Sequence, residues 1–301
     1  MPLIEQFLQP LPHGITLSCR AAGQQGRPVL VFVHGFPEAA FVWDTLLLHF
    51  AEPENGGYRC IAPNLRGYER SSAPTEVSAY RAKHLVQDLT ALMAVETGSP
   101  DMPIAGLIAH DWGGAIAWSL ANQHPTRLQR LAIINSPHPG TFLRELKANP
   151  KQQAASAYMN FLIRPDAETL LAEDDYRRLW AFFTNMGGDD WLTEAVKTQY
   201  REVWDAGLTG SLNYYRASPL RPPTADNPGA AALELPHAML TVDVPTLVVW
   251  AMQDAALPPE LIDGLDSYVP QLTLETVADG THWLVHEQPL LIARLLSAHL
   301  V

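Results

Sequence analysis

The 301-residue sequence predicts an α/β fold, a mostly parallel central sheet flanked by helices with a helical insertion before the penultimate strand. Three observations predict it. Short, apolar, β-branched runs alternate with longer amphipathic ones through the first half of the chain. From Ser136 to about Thr241 the sequence instead becomes rich in Trp, Tyr, Phe, Pro and Arg and shows no parallel-strand pattern. At Thr246 the strand rhythm resumes, and a last amphipathic run follows it.

In chain order, 14–19 and 29–33 read as early strands, and 59–63 and 104–109 as buried parallel strands, being short, apolar and bounded by turn residues. Leu85, Leu89, Leu92 and Met93 recur at helical spacing and predict a helix over 80–96. A second helix fits 113–123 and ends at His124-Pro125, because the residue before a proline disfavours helical backbone. A strand fits 128–135. Within the insertion, helical periods fit 154–161, 176–183 and 193–204, and a proline-rich passage, 219–236, closes it. Strands over 246–250 and 272–277 and a helix over 289–299 complete the sheet domain. The expected division is a core of 1–136 and 242–301 and a helical cap of 137–241, lying over the carboxyl ends of the strands, where such sheets bind ligands.

Hydrophobic residues make up 47% and charged residues 17%, an ordinary globular balance. The formal net charge of −12 repels nucleic acid and anionic membrane surfaces, which favours a neutral or apolar small molecule as partner. Cys19 and Cys60 each fall inside a predicted strand and form no disulfide framework, as in a reducing compartment. With no signal-peptide pattern and no bilayer-spanning apolar run, a soluble, cytoplasmic protein is expected. Oligomeric state is not legible.

The chemistry is expected at four places. Ala109-His110-Asp111-Trp112-Gly113-Gly114 follows a buried strand and opens a helix, with small residues two before and two after Asp111. That is the layout of a nucleophile elbow, with Asp in the place of the more familiar Ser. Asp is also a frequent helix N-cap, and the hexapeptide alone does not separate the two. His34-Gly35-Phe36-Pro37-Glu38 follows the 29–33 strand; its Phe36 N–H, with that of Trp112, is placed to form an oxyanion hole, and Pro37 stiffens the loop. Gly280-Thr281-His282-Trp283 sets a histidine after the last strand; His286 is expected at the surface or in helix packing, and His34 and His110 to be structural, satisfied by backbone partners. Asp254 lies just beyond the penultimate strand as the orienting acid; Asp243 is at the wrong edge of the sheet and Asp279 is too near His282 in sequence.

The order Asp111, Asp254, His282, each at the carboxyl end of a different strand, resembles the epoxide hydrolase branch of the α/β-hydrolases over nearly the whole chain. Asn64-Leu65-Arg66-Gly67-Tyr68-Glu69-Arg70-Ser71 is similar to that branch's Arg-Gly-Tyr loop, departing at Glu69 where Gly is usual, a change expected to alter loop shape rather than activity. The resemblance implies an α/β-hydrolase fold and an epoxide opened to a diol with water through a covalent ester on Asp111. A carboxylate of ordinary pKa is already ionised at pH 7 and suits displacement at saturated carbon. His282 would then activate water against the ester. The resemblance further implies two tyrosines in the cap that protonate the opening ring: Tyr215 in Asn213-Tyr214-Tyr215-Arg216, and Tyr158 in the stretch ending Asn160-Phe161-Leu162-Ile163-Arg164-Pro165. Phe36, Pro37, Trp112, Phe161 and Leu162 are expected to form an apolar substrate pocket.

Haloalkane dehalogenases share the Asp-Trp pair but need further N–H donors for halide, which Trp180, Trp191 or Trp204 could supply. Haloacetate dehalogenases carry Arg after the nucleophile and a His-Trp pair in the cap; Trp112 and Asn160-Phe161 stand here instead. A non-catalytic receptor on the same fold would be favoured by loss of the acid or the base, and neither is missing. No metal-ligand cluster, phosphate loop or dinucleotide fingerprint is present, so no metal or cofactor is expected.

Overall fold

Runs such as Val29–Val33 and Leu131–Ile134 lack polar alternation because both of their faces are covered, and they lie at the centre of one eight-stranded sheet. The computed structural model describes residues 3–187 and 190–301. The strands are β1 (Glu5–Pro10), β2 (Thr16–Ala22), β3 (Val29–Val33), β4 (Arg59–Pro63), β5 (Gly106–His110), β6 (Leu131–Ile134), β7 (Thr246–Ala251) and β8 (Leu272–Val277), in the order β1-β2-β4-β3-β5-β6-β7-β8. β2 pairs antiparallel with both β1 and β4, and every other pairing is parallel. β1 was not foreseen: as an edge strand carrying Glu5, Gln6 and Gln9 it buries little and shows no apolar run.

Before β6 come α1 (Asp44–Ala51), α2 (Ala82–Thr97) and α3 (Trp112–Gln123); α1 packs on β2 and β4, and α3 on β5 and β6. Between the adjacent strands β6 and β7 the chain carries α4 (Pro139–Ala148), α5 (Pro150–Ala155), α6 (Tyr158–Leu162), α7 (Ala167–Asn185), α8 (Glu194–Asp205) and α9 (Thr209–Ala217). α10 (Leu284–Glu287) and α11 (Pro289–His299) follow β8.

This helical segment departs from the periodicity in several ways, and neither α4 nor α9 has a counterpart among the expected helices. The single helix expected over 154–161 is two pieces, because a turn at Ser156-Ala157 lets buried Gln152 bond both Ser156 Oγ (2.8 Å) and Ala256 O (3.2 Å). α7 begins nine residues before its expected start and is kinked where Asp174, Asp175 and Tyr176 take φ of +52°, +53° and +60°. That left-handed run is held from a distance, by Arg201 on the Asp175 carboxylate (2.7 Å) and by Trp180 Nε1–H on the Asp175 carbonyl (2.6 Å). α9 contains Gly, Ser and Asn, weak helix formers, and draws its stability from docking on the core. Among the described residues, no helix is long and apolar enough to cross a membrane, and no group of three or more His, Cys, Asp and Glu could hold a metal ion.

Candidate active site

The turn between β5 and α3 bends so sharply that Asp111 takes φ +47°, ψ −120°, a conformation that L residues rarely adopt. Such strain persists only when neighbours enforce it. A Cβ on Gly113 would meet the carbonyl oxygens of Val33 and His34, the latter at 2.7 Å, and one on Gly35 would fall 2.8 Å from Asp111 Cγ. The small residues around the elbow are thus required by the β3 loop packed against it. The Phe36 N–H donates to Asp111 Oδ1 at 2.7 Å. Trp112 N–H opens α3, where helix geometry leaves it without a carbonyl partner.

His282 Nε2 lies 3.8 Å from Asp111 Oδ2, and its Nδ1–H donates to Asp254 Oδ2 at 2.6 Å. Asp254 Oδ1 in turn accepts the N–H groups of Ala256 and Leu257, both at 2.9 Å, which fixes the carboxylate plane. Burial works against a charged His282, but the charge and hydrogen bond of Asp254, with the charges of Asp111 and Glu38, outweigh it and push its pKa up to about 9.

Tyr215 on α9 packs edge-on to Trp112 (ring centroids 5.1 Å) and to Phe36 (5.2 Å), and lies 6.2 Å from Tyr158 of α6. Burial, together with nearby charge that includes Asp111, raises both phenols above their ordinary range, so both remain protonated at neutral pH. Tyr214, also edge-on to Trp112 (5.6 Å), lines the apolar cavity that opens beside Asp111, which Tyr215 does not line. The Tyr214 hydroxyl donates to Arg66 O (2.9 Å), and Asn213 Nδ2–H donates to Thr75 O (3.3 Å), which anchors α9 to the core. Arg66 is itself held on Asp88 by two bonds of 2.5 Å. In the same loop, Glu69 takes φ +50°, the conformation glycine adopts freely; the departure is thus absorbed as strain at one residue, its carboxylate held by Asn64 (3.0 Å) and Arg70 (2.9 Å).

A cavity of about 390 Å³ opens beside Asp111, lined by Trp112, Tyr158, Met159, Leu85, Ile116, Phe142, Leu220, Leu233, Leu235 and Leu257 among others. Its hydroxyls are mostly spent on the protein: Tyr80 donates to Pro74 O (2.8 Å), Ser119 to Ala115 O (3.3 Å) and Ser136 to Asp111 O (2.6 Å). Phe161 and Leu162, expected in the pocket, do not line it. Phe161 sits roughly 200° around the helix from Met159, under the Arg164 guanidinium, and Leu162 is fully buried one turn further along. Phe36 and Pro37 also lie outside the lining: the Phe36 ring packs on Tyr215 and Phe182, and the Pro37 carbonyl accepts Trp204 Nε1–H at 2.9 Å.

Sequence reasoning missed a buried polar group behind the site. Glu38, fully buried, receives His110 Nδ1 at 2.8 Å and His286 Nε2 at 3.0 Å, while His110 Nε2 meets His282 O at 2.9 Å. The two histidines hold Glu38 well below the usual carboxylate range despite its burial. His286 is therefore no surface residue, and His110 is satisfied by a side chain as well as by backbone. Glu38 follows His34-Gly35-Phe36-Pro37 directly, and an acid beside a stiff loop was the available signal. The insertion tryptophans lie outside the cavity lining: Trp180 and Trp204 donate to backbone carbonyls, and Trp191 stacks on His286 at 3.8 Å with its Nε1–H buried and unpartnered among the described residues.

An elbow carboxylate, a histidine on a second acid, and this strand order define a hydrolase of the α/β class. The sequence matches the family described as alpha/beta hydrolase fold over residues 28–289, and the chain belongs to that family. It is similar to the AB hydrolase superfamily protein YfhM of Bacillus subtilis (strain 168), 33% identical over 96% of this chain and 95% of that one. It is also similar to epoxide hydrolase 4 of Mus musculus, 30% identical over 95% of this chain and 77% of that protein. Among solved structures, it superposes on one from a study of novel epoxide hydrolases of this superfamily in metagenomes from hot environments, with TM-score 0.87 and 36% identity over 99% of both chains. An epoxide hydrolase of Bacillus megaterium in complex with an inhibitor matches with TM-score 0.87 and 27% identity, over 98% of this chain and 99% of that one.

Proposed function

We propose that this protein is an epoxide hydrolase that opens its substrate through a covalent ester on Asp111. The observation that carries the reading is a carboxylate facing a histidine–aspartate pair, with two protonated phenols near enough to feel its charge, beside an apolar cavity. With Oδ1 engaged by Phe36 N–H, Oδ2 is the free nucleophile. It attacks a ring carbon, the C–O bond breaks, and the ring oxygen takes a proton from Tyr215 or Tyr158. Proton donation by positioned groups contributes about 10²–10⁴-fold. Esterification also removes the Asp111 charge, one of those that raise His282, so the imidazole becomes more readily neutral when a base is needed. His282 Nε2 then takes a proton from water, the hydroxide adds to Asp111 Cγ, and the oxyanion forms at Oδ1 against the Phe36 and Trp112 N–H groups. Collapse breaks the bond from Cγ to the ester oxygen, the diol oxygen takes the proton of the added hydroxyl, and the proton on His282 returns through solvent to the tyrosinate, restoring the enzyme.

Residues 137–241 serve in this reading as a cap domain supplying Tyr158 and Tyr215 to a core of 1–136 and 242–301. The relatives named as epoxide hydrolases support the substrate class. A dehalogenase reading is less well supported, because it needs a second N–H donor for halide and none of Trp180, Trp191 and Trp204 lines the cavity beside Asp111. Single turnover of styrene oxide in ¹⁸O-labelled water, followed by mass analysis of the 109–114 peptide, tests the mechanism: label is expected in the Asp111 carboxylate, and diol formed without such label refutes the ester. A 1-bromoalkane assayed alongside tests the substrate class, and halide release without diol formation from the epoxide would overturn it.

A further inference from the structure

β6 ends at Ile134, and the next residue, Asn135, turns the chain with φ +42°. Asn tolerates the left-handed region better than most residues, yet nothing in the reaction above uses it. Its side chain is fully buried and spans two loops. Asn135 Oδ1 accepts Ala251 N–H at 2.9 Å, at the end of β7 and three residues before Asp254. Asn135 Nδ2–H donates to Thr281 O at 2.8 Å, on the residue before His282. Its neighbour Ser136 donates from Oγ to Asp111 O at 2.6 Å. Three loops that carry the nucleophile, the acid and the base therefore meet at one dipeptide, through side-chain bonds to main chain.

We infer that Asn135 is a positioning residue that holds His282 in register with Asp111. The 3.8 Å between His282 Nε2 and Asp111 Oδ2 is too long for a direct hydrogen bond, so His282 reaches the ester through a water, and that geometry depends on where its loop is pinned. Among the described residues, no other single side chain bonds both the end of β7 and the residue before His282, while Gln253 N–H on Gly280 O (3.0 Å) and Thr281 N–H on Glu287 (2.9 Å) hold the loop on either side. Alkylation draws on Asp111, Tyr158 and Tyr215, which reside on other elements, so the inference assigns Asn135 to the second half-reaction alone. It rests on the ester reading above for its kinetic consequence, but not for its structural one.

Asn135→Gly removes both bonds while keeping a residue that adopts φ +42° without strain. Asn135→Asp is close to isosteric and keeps the acceptor for Ala251 N–H but loses the donor to Thr281 O, which guards against a glycine variant that folds poorly. In single turnovers of styrene oxide quenched with acid, ester hydrolysis is expected to slow by about 10²-fold in either variant, with alkylation within about threefold of wild type, so that the Asp111 ester accumulates. The low-field proton resonance of His282 Nδ1–H, bonded to Asp254 in the wild type, is expected to broaden or shift in both variants. Equal loss in the two half-reactions, unchanged ester hydrolysis, or an unchanged resonance in folded variants overturns the inference. If the wild type itself traps no ester, the ester reading fails, and the resonance still decides whether Asn135 positions His282.

Discussion

Gly210→Ala tests whether the proposed acid on α9 depends on close backbone contact with the core. A Cβ at Gly210 would lie 2.7 Å from Gly67 O and 2.9 Å from Gly67 C, and a Cβ on Gly67 would equally meet the Gly210 backbone. Neither side offers a flexible side chain that could yield. Carbon contacts settle near 3.5–4.0 Å, so α9 and the Arg66-Gly67 loop must part by about 1 Å. A nine-residue helix moves as a unit, carrying Tyr215 with it and stretching the anchors from Tyr214 to Arg66 O and from Asn213 to Thr75 O. A misplacement of about 1 Å costs up to about 10²-fold, so the alkylation rate is expected to fall by about 10- to 100-fold. Overpacking costs about 1–3 kcal/mol, and alanine recovers about 1 kcal/mol of helix propensity, leaving a net loss of about 0–2 kcal/mol and a folded protein. The assay is pre-steady-state alkylation by styrene oxide, with thermal unfolding as the control. Alkylation at the wild-type rate, or an equal fall in ester hydrolysis, refutes the argument.

Three further outcomes follow from the same geometry. Tyr215→Phe is expected to slow alkylation by about 10²-fold or more while leaving ester hydrolysis within about threefold, as rapid-quench kinetics would show; equal losses contradict an acid role. His282 has a folded pKa raised to about 9 against an unfolded value near 6.5, so its contribution to stability is complete below about pH 6.5 and is lost as pH rises through about 9; denaturant unfolding over that window measures it, and His282→Gln should remove that part of the slope. Glu38→Ala leaves His110 and His286 without their shared buried carboxylate and is expected to lower stability by about 3–5 kcal/mol, read from the midpoint of urea unfolding.

By itself the sequence determined the sheet, the order of the chemistry along it and the elbow. Buried parallel strands need apolar runs on both faces, and a sharp strand-to-helix turn needs small residues, so both requirements are written locally in 29–33, 106–110 and Ala109 to Gly113. The positions of Asp111, Asp254 and His282 at the carboxyl ends of β5, β7 and β8 were legible because strand ends fix where their side chains emerge. Tertiary structure alone decided the rest. The kink in α7, held by Arg201, and the docking of α9 through Gly67 and Gly210 depend on partners far along the chain, which periodicity does not report. The same holds for Glu38 between two histidines and for Asn135 between two loops: a buried polar group is satisfied by whatever the fold brings to it, and only the assembled core says what that is.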